Sequence, residues 1–152
     1  MNMNKGDKVP DLELKDQNGN AFRFSDLIGK KAFVVYFYPK DFTPGCTKEA
    51  CSFRDSYEDF KELGAEVIGI SGDSSESHSK FADKYKLPYI FLSDQNKKAR
   101  DAFGVKSNLL GLIPGRETFI FNKEGKLLHR FNSMNAKRHM PEALYVLKKN
   151  QN

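Results

Sequence analysis

The sequence predicts one α/β domain over residues 1–152, with a central mixed sheet flanked by helices. Three observations predict it. Residues 32–38 (Ala-Phe-Val-Val-Tyr-Phe-Tyr) and 66–71 (Glu-Val-Ile-Gly-Ile-Ser) are nearly unbroken apolar runs, the mark of strands covered on both faces. Helical periodicity follows each run, and strand–helix alternation implies parallel strands. Hairpin signals then flank this middle on both sides and add antiparallel strands.

At the N-terminal side, residues 12–14 and 21–24 alternate in polarity around Asp16-Gln-Asn-Gly-Asn20, which carries an Asn-Gly turn signal. Residues 25–29 read as a short connector or helical turn. After the first buried strand, Ala50, Phe53, Tyr57, Phe60 and Leu63 recur at spacings of three and four. They predict a helix over 47–63 closed by Gly64. Ser71 to Ser75 supply turn and cap residues before a helix over about 76–85. Pro88 resets the chain into a strand at 89–92, followed by a short helix at 96–103. Residues 117–122 and 126–131 flank Lys123-Glu-Gly125 as a second hairpin, and Pro141 opens a last helix to Lys149.

Composition narrows the function. Among 152 residues, 39% are hydrophobic and 30% charged, enough for one sizeable core. Two cysteines are too few for a disulfide-built secreted scaffold. No apolar stretch approaches the roughly 18 residues of a membrane span. The start, Met-Asn-Met-Asn-Lys-Gly-Asp, lacks the apolar segment of a signal peptide. The expectation is therefore a cytoplasmic protein, with no membrane association. The formal charge of +5 is dispersed over Lys30-Lys31, Lys97-Lys98-Ala-Arg100, Lys137-Arg138 and Lys148-Lys149, which read as solvated faces rather than a nucleic-acid surface. His78, His129 and His139 show no metal-ligand spacing with the cysteines, and no glycine-rich phosphate loop occurs. Neither a metal nor a nucleotide cofactor is expected.

Both cysteines, Cys46 and Cys51, lie where the first buried strand gives way to its helix. A thiol in the first helical turn meets unpaired N–H groups and the positive end of the helix dipole. Both favour the nucleophilic thiolate. Cys46 is the candidate nucleophile and Cys51 its partner. At about 100° per residue Cys46 projects toward the apolar stripe, and Cys51 lies about 140° round from it, near Arg54 and Asp55. Five residues of intact helix also separate the two by about 7.5 Å along the axis, beyond the roughly 7 Å reach of a disulfide. If they join, the first turns must unwind, and the oxidised form is remodelled around residues 43–55. Nearby, Lys40 and Asp41 read as solvent-exposed loop charges, Tyr36 and Tyr38 as strand packing, and Phe42 as a cap on the pocket. Thr43 and Pro44 also fit an ordinary helix start, and Arg54 is a second candidate cation beside the thiol.

Pro39-x-x-x-Thr43-x-x-Cys46 resembles the active-site signature of peroxiredoxins. The longer stretch 38–55 is similar to the peroxiredoxin Q branch, also called the bacterioferritin comigratory protein group, whose resolving cysteine lies five residues after the peroxidatic one. Gly115-Arg-Glu-Thr-Phe-Ile-Phe121 with Gly125, and Gly6-Asp-x-x-Pro-Asp-Leu12, match as well. The resemblance implies a thioredoxin-like fold with an N-terminal β-hairpin extension. It implies a monomeric thiol peroxidase acting on hydrogen peroxide and organic hydroperoxides. Cys46 would become a sulfenic acid, Cys51 would resolve it as an intramolecular disulfide, and thioredoxin would reduce that disulfide. Thr43 would bind the peroxide, Pro39 would shield the thiolate, Arg116 would hold the sulfur ionised, and Glu49 would orient the arginine. An apolar loop before Arg116, with Leu109, Leu110, Leu112 and Ile113, reads either as core-packed or as a rim for a substrate tail, reductant or second subunit. The rivals are a general thiol–disulfide oxidoreductase, disfavoured by the lack of Cys-x-x-Cys, and a redox-sensing or chaperone-like binding protein.

Overall fold

A computed structural model describes residues 3–107 and 115–151 of the chain. Among the described residues seven strands form one sheet: β1 (Glu13–Asp16), β2 (Ala21–Arg23), β3 (Ala32–Phe37), β4 (Ala65–Ser71), β5 (Ile90–Ser93), β6 (Glu117–Phe121) and β7 (Leu127–Asn132). Their spatial order is β2-β1-β5-β4-β3-β6-β7. The two apolar runs, β3 and β4, lie side by side and parallel, with β5 parallel to β4. The N-terminal hairpin adds antiparallel to β5 at one edge, and the β6–β7 hairpin adds antiparallel to β3 at the other. The helices are α1 (Pro44–Asp55), α2 (Tyr57–Glu62), α3 (Ser75–Tyr85), α4 (Lys98–Phe103) and α5 (His139–Lys149). None of the described helices is long and apolar enough to cross a membrane.

Strand β3 shows why its sequence is apolar throughout. Successive side chains of a strand point to opposite faces. Val34 and Tyr36, with Tyr38 beyond the strand end, enter a cluster with Phe53, Phe60, Phe81 and Leu147. Phe33, Val35 and Phe37 enter a second cluster, with Phe24, Ile68, Phe103 and Phe119. Each fully buried apolar side chain contributes roughly 1.5–3 kcal/mol, so both faces must be covered. Gly69 of β4 serves the same packing. A Cβ there would lie 2.8 Å from the Phe91 ring and 3.0 Å from that of Tyr36.

The helix expected over 47–63 is two helices. It begins earlier, at Pro44, and breaks at Ser56 (φ −107°, ψ 8°) before α2. The apolar stripe runs across the break, from Phe53 to Phe60, whose rings pack at 5.6 Å, so periodicity alone does not reveal it. Beyond the break the Tyr57 hydroxyl donates to Glu66 Oε1 of β4 at 2.7 Å. That bond fastens α2 to the sheet independently of α1.

Candidate active site

Register places the site. Antiparallel pairing sets Phe37 opposite Glu117, so the end of β3 and the start of β6 coincide. Residues 38–43 leave there for α1, and Arg116 arrives there from the other side. Thr43 is the N-cap of α1, and Pro44 occupies its first turn, where a missing N–H costs nothing. Cys46 follows in that same turn, 1% exposed, at the positive end of the helix.

Arg116, 5% exposed, donates from Nη2 to Cys46 Sγ at 3.4 Å and from Nη1 to Glu49 Oε1 at 2.5 Å. Its planar fork can serve two acceptors at once, which a lysine could not. Burial opposes the charge of Arg116, but Glu49 and Cys46 together outweigh it and raise the guanidinium above its ordinary value. Glu49 sits one helical turn after Cys46 and is wholly buried. Burial pushes its carboxyl up to about 8, against the pull of Arg116. Gly45 makes room for this arrangement, since a Cβ at that position would lie 3.2 Å from Arg116 Nη2.

Behind Glu49 stands His139, at the start of α5. Its Nε2 donates to the Ser133 carbonyl at 2.6 Å, so Nδ1 is left to accept from the Thr118 hydroxyl at 2.7 Å. Burial lowers His139 to about 4. A neutral ring with no proton on Nδ1 makes no ion pair with Glu49 Oε2, 3.7 Å away. Glu49 Oε2 has no hydrogen-bond partner among the described residues.

The other expected residues are placed as follows. The Thr43 hydroxyl donates to the Lys40 carbonyl at 2.8 Å; with its proton committed, it can only accept from a bound molecule. Pro39 is half-buried at the start of the same loop. Phe42 is not brought onto Cys46. It is 44% exposed, and its ring meets Phe81 at 5.2 Å and Tyr85 at 6.4 Å on α3. Cys51 is half-buried against the apolar cluster rather than on a wholly polar face. Burial raises its thiol, with Arg54 working the other way. Cys46 and Cys51 are both free thiols in one intact helix. Arg54 is committed elsewhere, to Asp55 at 2.9 Å and the Tyr85 carbonyl at 2.8 Å. The apolar loop with Leu109, Leu110, Leu112 and Ile113 lies outside the described residues.

Two polar residues behave unlike their sequence context. Asp41, expected to be solvated, is 4% exposed, accepts from Tyr38 and Ser77, and lies 2.8 Å from His78 Nδ1. Arg100, expected on a solvated basic face, is 8% exposed. It donates to the carbonyls of Gly115 at 3.2 Å and Tyr38 at 3.4 Å. It thereby ties together the residues that immediately precede Arg116 and Pro39. A cation paired with carbonyls far along the chain leaves no local signal.

Comparison with known proteins adds the family. The AhpC/TSA family matches residues 5–130. The chain is 54% identical over 144 residues to the chloroplastic peroxiredoxin Q of Sedum lineare, covering 94% of this chain and 77% of that one. A crystal structure of the peroxidoxin BcpB of Mycobacterium tuberculosis superposes with a TM-score of 0.90 at 39% identity, over 99% of each chain. The bacterioferritin comigratory protein of Xanthomonas campestris, in structures concerned with its alkyl peroxide reduction activity, superposes with a TM-score of 0.88 at 29% identity, over 99% of this chain and 98% of that one. These likenesses establish the thioredoxin-like fold. They also overturn the cytoplasmic expectation, because the curated plant relatives at about half identity are named as chloroplastic. The matched region carries the fold and the thiol chemistry, and neither distinguishes one reducing compartment from another.

Proposed function

We propose, for a chain that belongs to the AhpC/TSA family and is a thiol-dependent peroxidase, that Cys46 is the peroxidatic cysteine and Cys51 the resolving one. The observation that carries this reading is the Arg116 guanidinium, 3.4 Å from Cys46 Sγ at the start of α1. A thiolate there has a fixed cation and a helix end beside it before any peroxide arrives.

The Cys46 thiolate attacks the terminal oxygen of a hydroperoxide. The S–O bond forms as the O–O bond breaks, and the departing alkoxide or hydroxide takes up a proton to leave as alcohol or water. Charge builds on that leaving oxygen, and donors already in place lower the cost of building it. Thr43, able only to accept, receives a hydrogen bond from the terminal O–H and so turns that oxygen toward sulfur; the hydrogen stays on the oxygen that sulfur takes. Pro39 keeps bulk water from the thiolate. Glu49 holds the Arg116 fork in its orientation. Phe42 serves as a flank of the entrance rather than a lid over sulfur.

The Cys46 sulfenic acid then condenses with Cys51: the S–S bond forms, the S–O bond breaks, and water leaves. Resolution by a neighbouring thiol returns sulfur from the first rung of oxidation. It requires α1 to unwind, and the break at Ser56 gives the unwinding a natural limit. The family implies peroxide substrates and a thioredoxin-type reductant. We place both hydrogen peroxide and organic hydroperoxides among the substrates. The alkyl peroxide reduction activity of the Xanthomonas campestris protein supports the second class. Thioredoxin itself as reductant, and a monomer as the working unit, are carried over from the family resemblance.

Substituting Cys51 tests the division of labour. Cys51→Ser is expected to consume one equivalent of peroxide, hold Cys46 as a sulfenic acid that dimedone traps, and fail to turn over with thioredoxin. Full recycling of that variant by thioredoxin would refute the assignment of Cys51.

A further inference from the structure

Loop 39–43, which carries Pro39 and Thr43, is held by a buried polar cluster that the chemistry above does not use. Asp41 is its centre. Tyr38 donates to Asp41 Oδ1 at 2.5 Å, and the Ser77 hydroxyl donates to Oδ2 at 2.8 Å. His78 Nδ1 lies 2.8 Å from the same Oδ2, with both side chains at most 1% exposed. The Asp41 N–H donates to Asp73 Oδ2 at 2.8 Å, which also accepts from Ser71 at 2.6 Å. The residue just after β3, helix α3 and the β4–α3 turn therefore all meet on one loop residue.

The tautomer of His78 follows from its other nitrogen. Nε2 lies 3.0 Å from the Leu92 carbonyl, which can only accept, so Nε2 bears a hydrogen. A proton must also lie between Nδ1 and Asp41, since two lone pairs would otherwise face each other in a dry site. Burial, then the charge of Asp41, keeps the Tyr38 phenol protonated as a donor. The ligand atoms of Asp41, Asp73 and His78 lie within 4.8 Å of one another, but the facing oxygens already accept from protein donors, and that favours a latch over a metal site.

The loop needs such a hold. Phe42, between Asp41 and Thr43, has φ +66°, a left-handed conformation that bulky residues leave unless their surroundings fix them. Removing the Asp41 contacts would let residue 42 relax, and Thr43 with the first turn of α1 would move with it. We infer that Asp41, clamped by His78, Ser77 and Tyr38, is a positioning residue. It holds the loop and the start of α1 in the peroxide-reactive arrangement, and its release is a step in the unwinding that brings Cys46 to Cys51. This rests on the assignment of those two cysteines.

The test separates the two half-reactions by rapid quench with thiol alkylation and mass measurement. Asp41→Ala is expected to slow oxidation of Cys46 on the order of tenfold, and to speed the later disulfide formation by a similar factor, the scale of lost hydrogen bonds to a charged group. General loss of stability would not divide the steps in opposite directions. Asp41→Asn is expected to restore both rates to within about twofold, because Oδ1 still accepts from Tyr38 and Nδ2 can donate to a neutral His78 Nδ1. Ser77→Ala, which removes one donor at a partly exposed position, is expected to shift both rates in the same sense as Asp41→Ala, by less, and serves if that variant folds poorly. Both rates within about twofold of the parent in Asp41→Ala, or both falling together in it and in Ser77→Ala, would overturn the latch. A parent protein that formed no sulfenic acid at Cys46 would instead overturn the cysteine assignment beneath it.

Discussion

With serine in place of Cys46, peroxide consumption in a thioredoxin-type reducing system is expected to fall to the uncatalysed level, on the order of 10⁴-fold or more. The argument is chemical rather than steric. Serine is nearly the same shape, and its hydroxyl can accept from Arg116 Nη2 as the sulfur does at 3.4 Å. The fold should therefore survive, with a melting temperature within a few degrees of the parent. A hydroxyl in this setting stays protonated and does not attack an O–O bond, whereas a thiolate does. A peroxide assay beside a thermal melt checks both halves. Retained turnover in a folded variant would show that another group reacts.

Arg116→Met should produce the second largest loss. Methionine keeps most of the stem volume and removes the fork that reaches both Cys46 and Glu49. The thiolate loses its cation, and the transition state loses a preorganised donor of a kind worth about 10²–10³ in rate. A loss of that size is expected in kcat/KM for peroxide. Arg116→Lys should recover only part of it, because one ammonium cannot serve both partners in the planar geometry. Stability should respond to pH in a defined sense. Burial already pushes Glu49 up to about 8 from an ordinary 4.5, so the folded protein holds that proton more tightly than the unfolded chain. Such a group contributes stability fully below its unfolded value and loses it as pH rises through the folded value. Without Arg116 to favour the carboxylate, melting temperature should fall more steeply than in the parent as pH passes about 8. Melts across that range, with peroxide kinetics at one pH, test both statements.

Much of this arrangement is visible in the sequence, for identifiable reasons. The apolar runs of β3 and β4 fit only strands covered on both faces, and the turn chemistry at Asn18-Gly19 and Gly125 sets both hairpins. Cys46 is legible because strand-to-helix punctuation, with Pro44 and Gly45, is local. The break at Ser56 is not, because the apolar stripe continues through it. Asp41, Arg100 and His78 look like surface or scattered groups in the sequence. Their partners lie 37 residues away from Asp41 in the case of His78, and 62 from Arg100 in the case of Tyr38. A buried charge is recognised by what satisfies it, and only the fold brings those groups together. His139 is hidden for the same reason: Thr118 and Ser133 fix its tautomer from another strand and a turn. The compartment in which the protein works has no local physical signature at all.

A single-turnover mass measurement tests the cysteine pair most directly. Lys40, Lys48 and Arg54 place trypsin sites so that Cys46 and Cys51 fall on separate peptides, 41–48 and 49–54. After one equivalent of peroxide and alkylation of the remaining thiols, the expected product is these two peptides joined by one disulfide, with no alkylated copy of either. Both peptides recovered alkylated and unlinked after the peroxide has been consumed would contradict the assignment of Cys46 and Cys51.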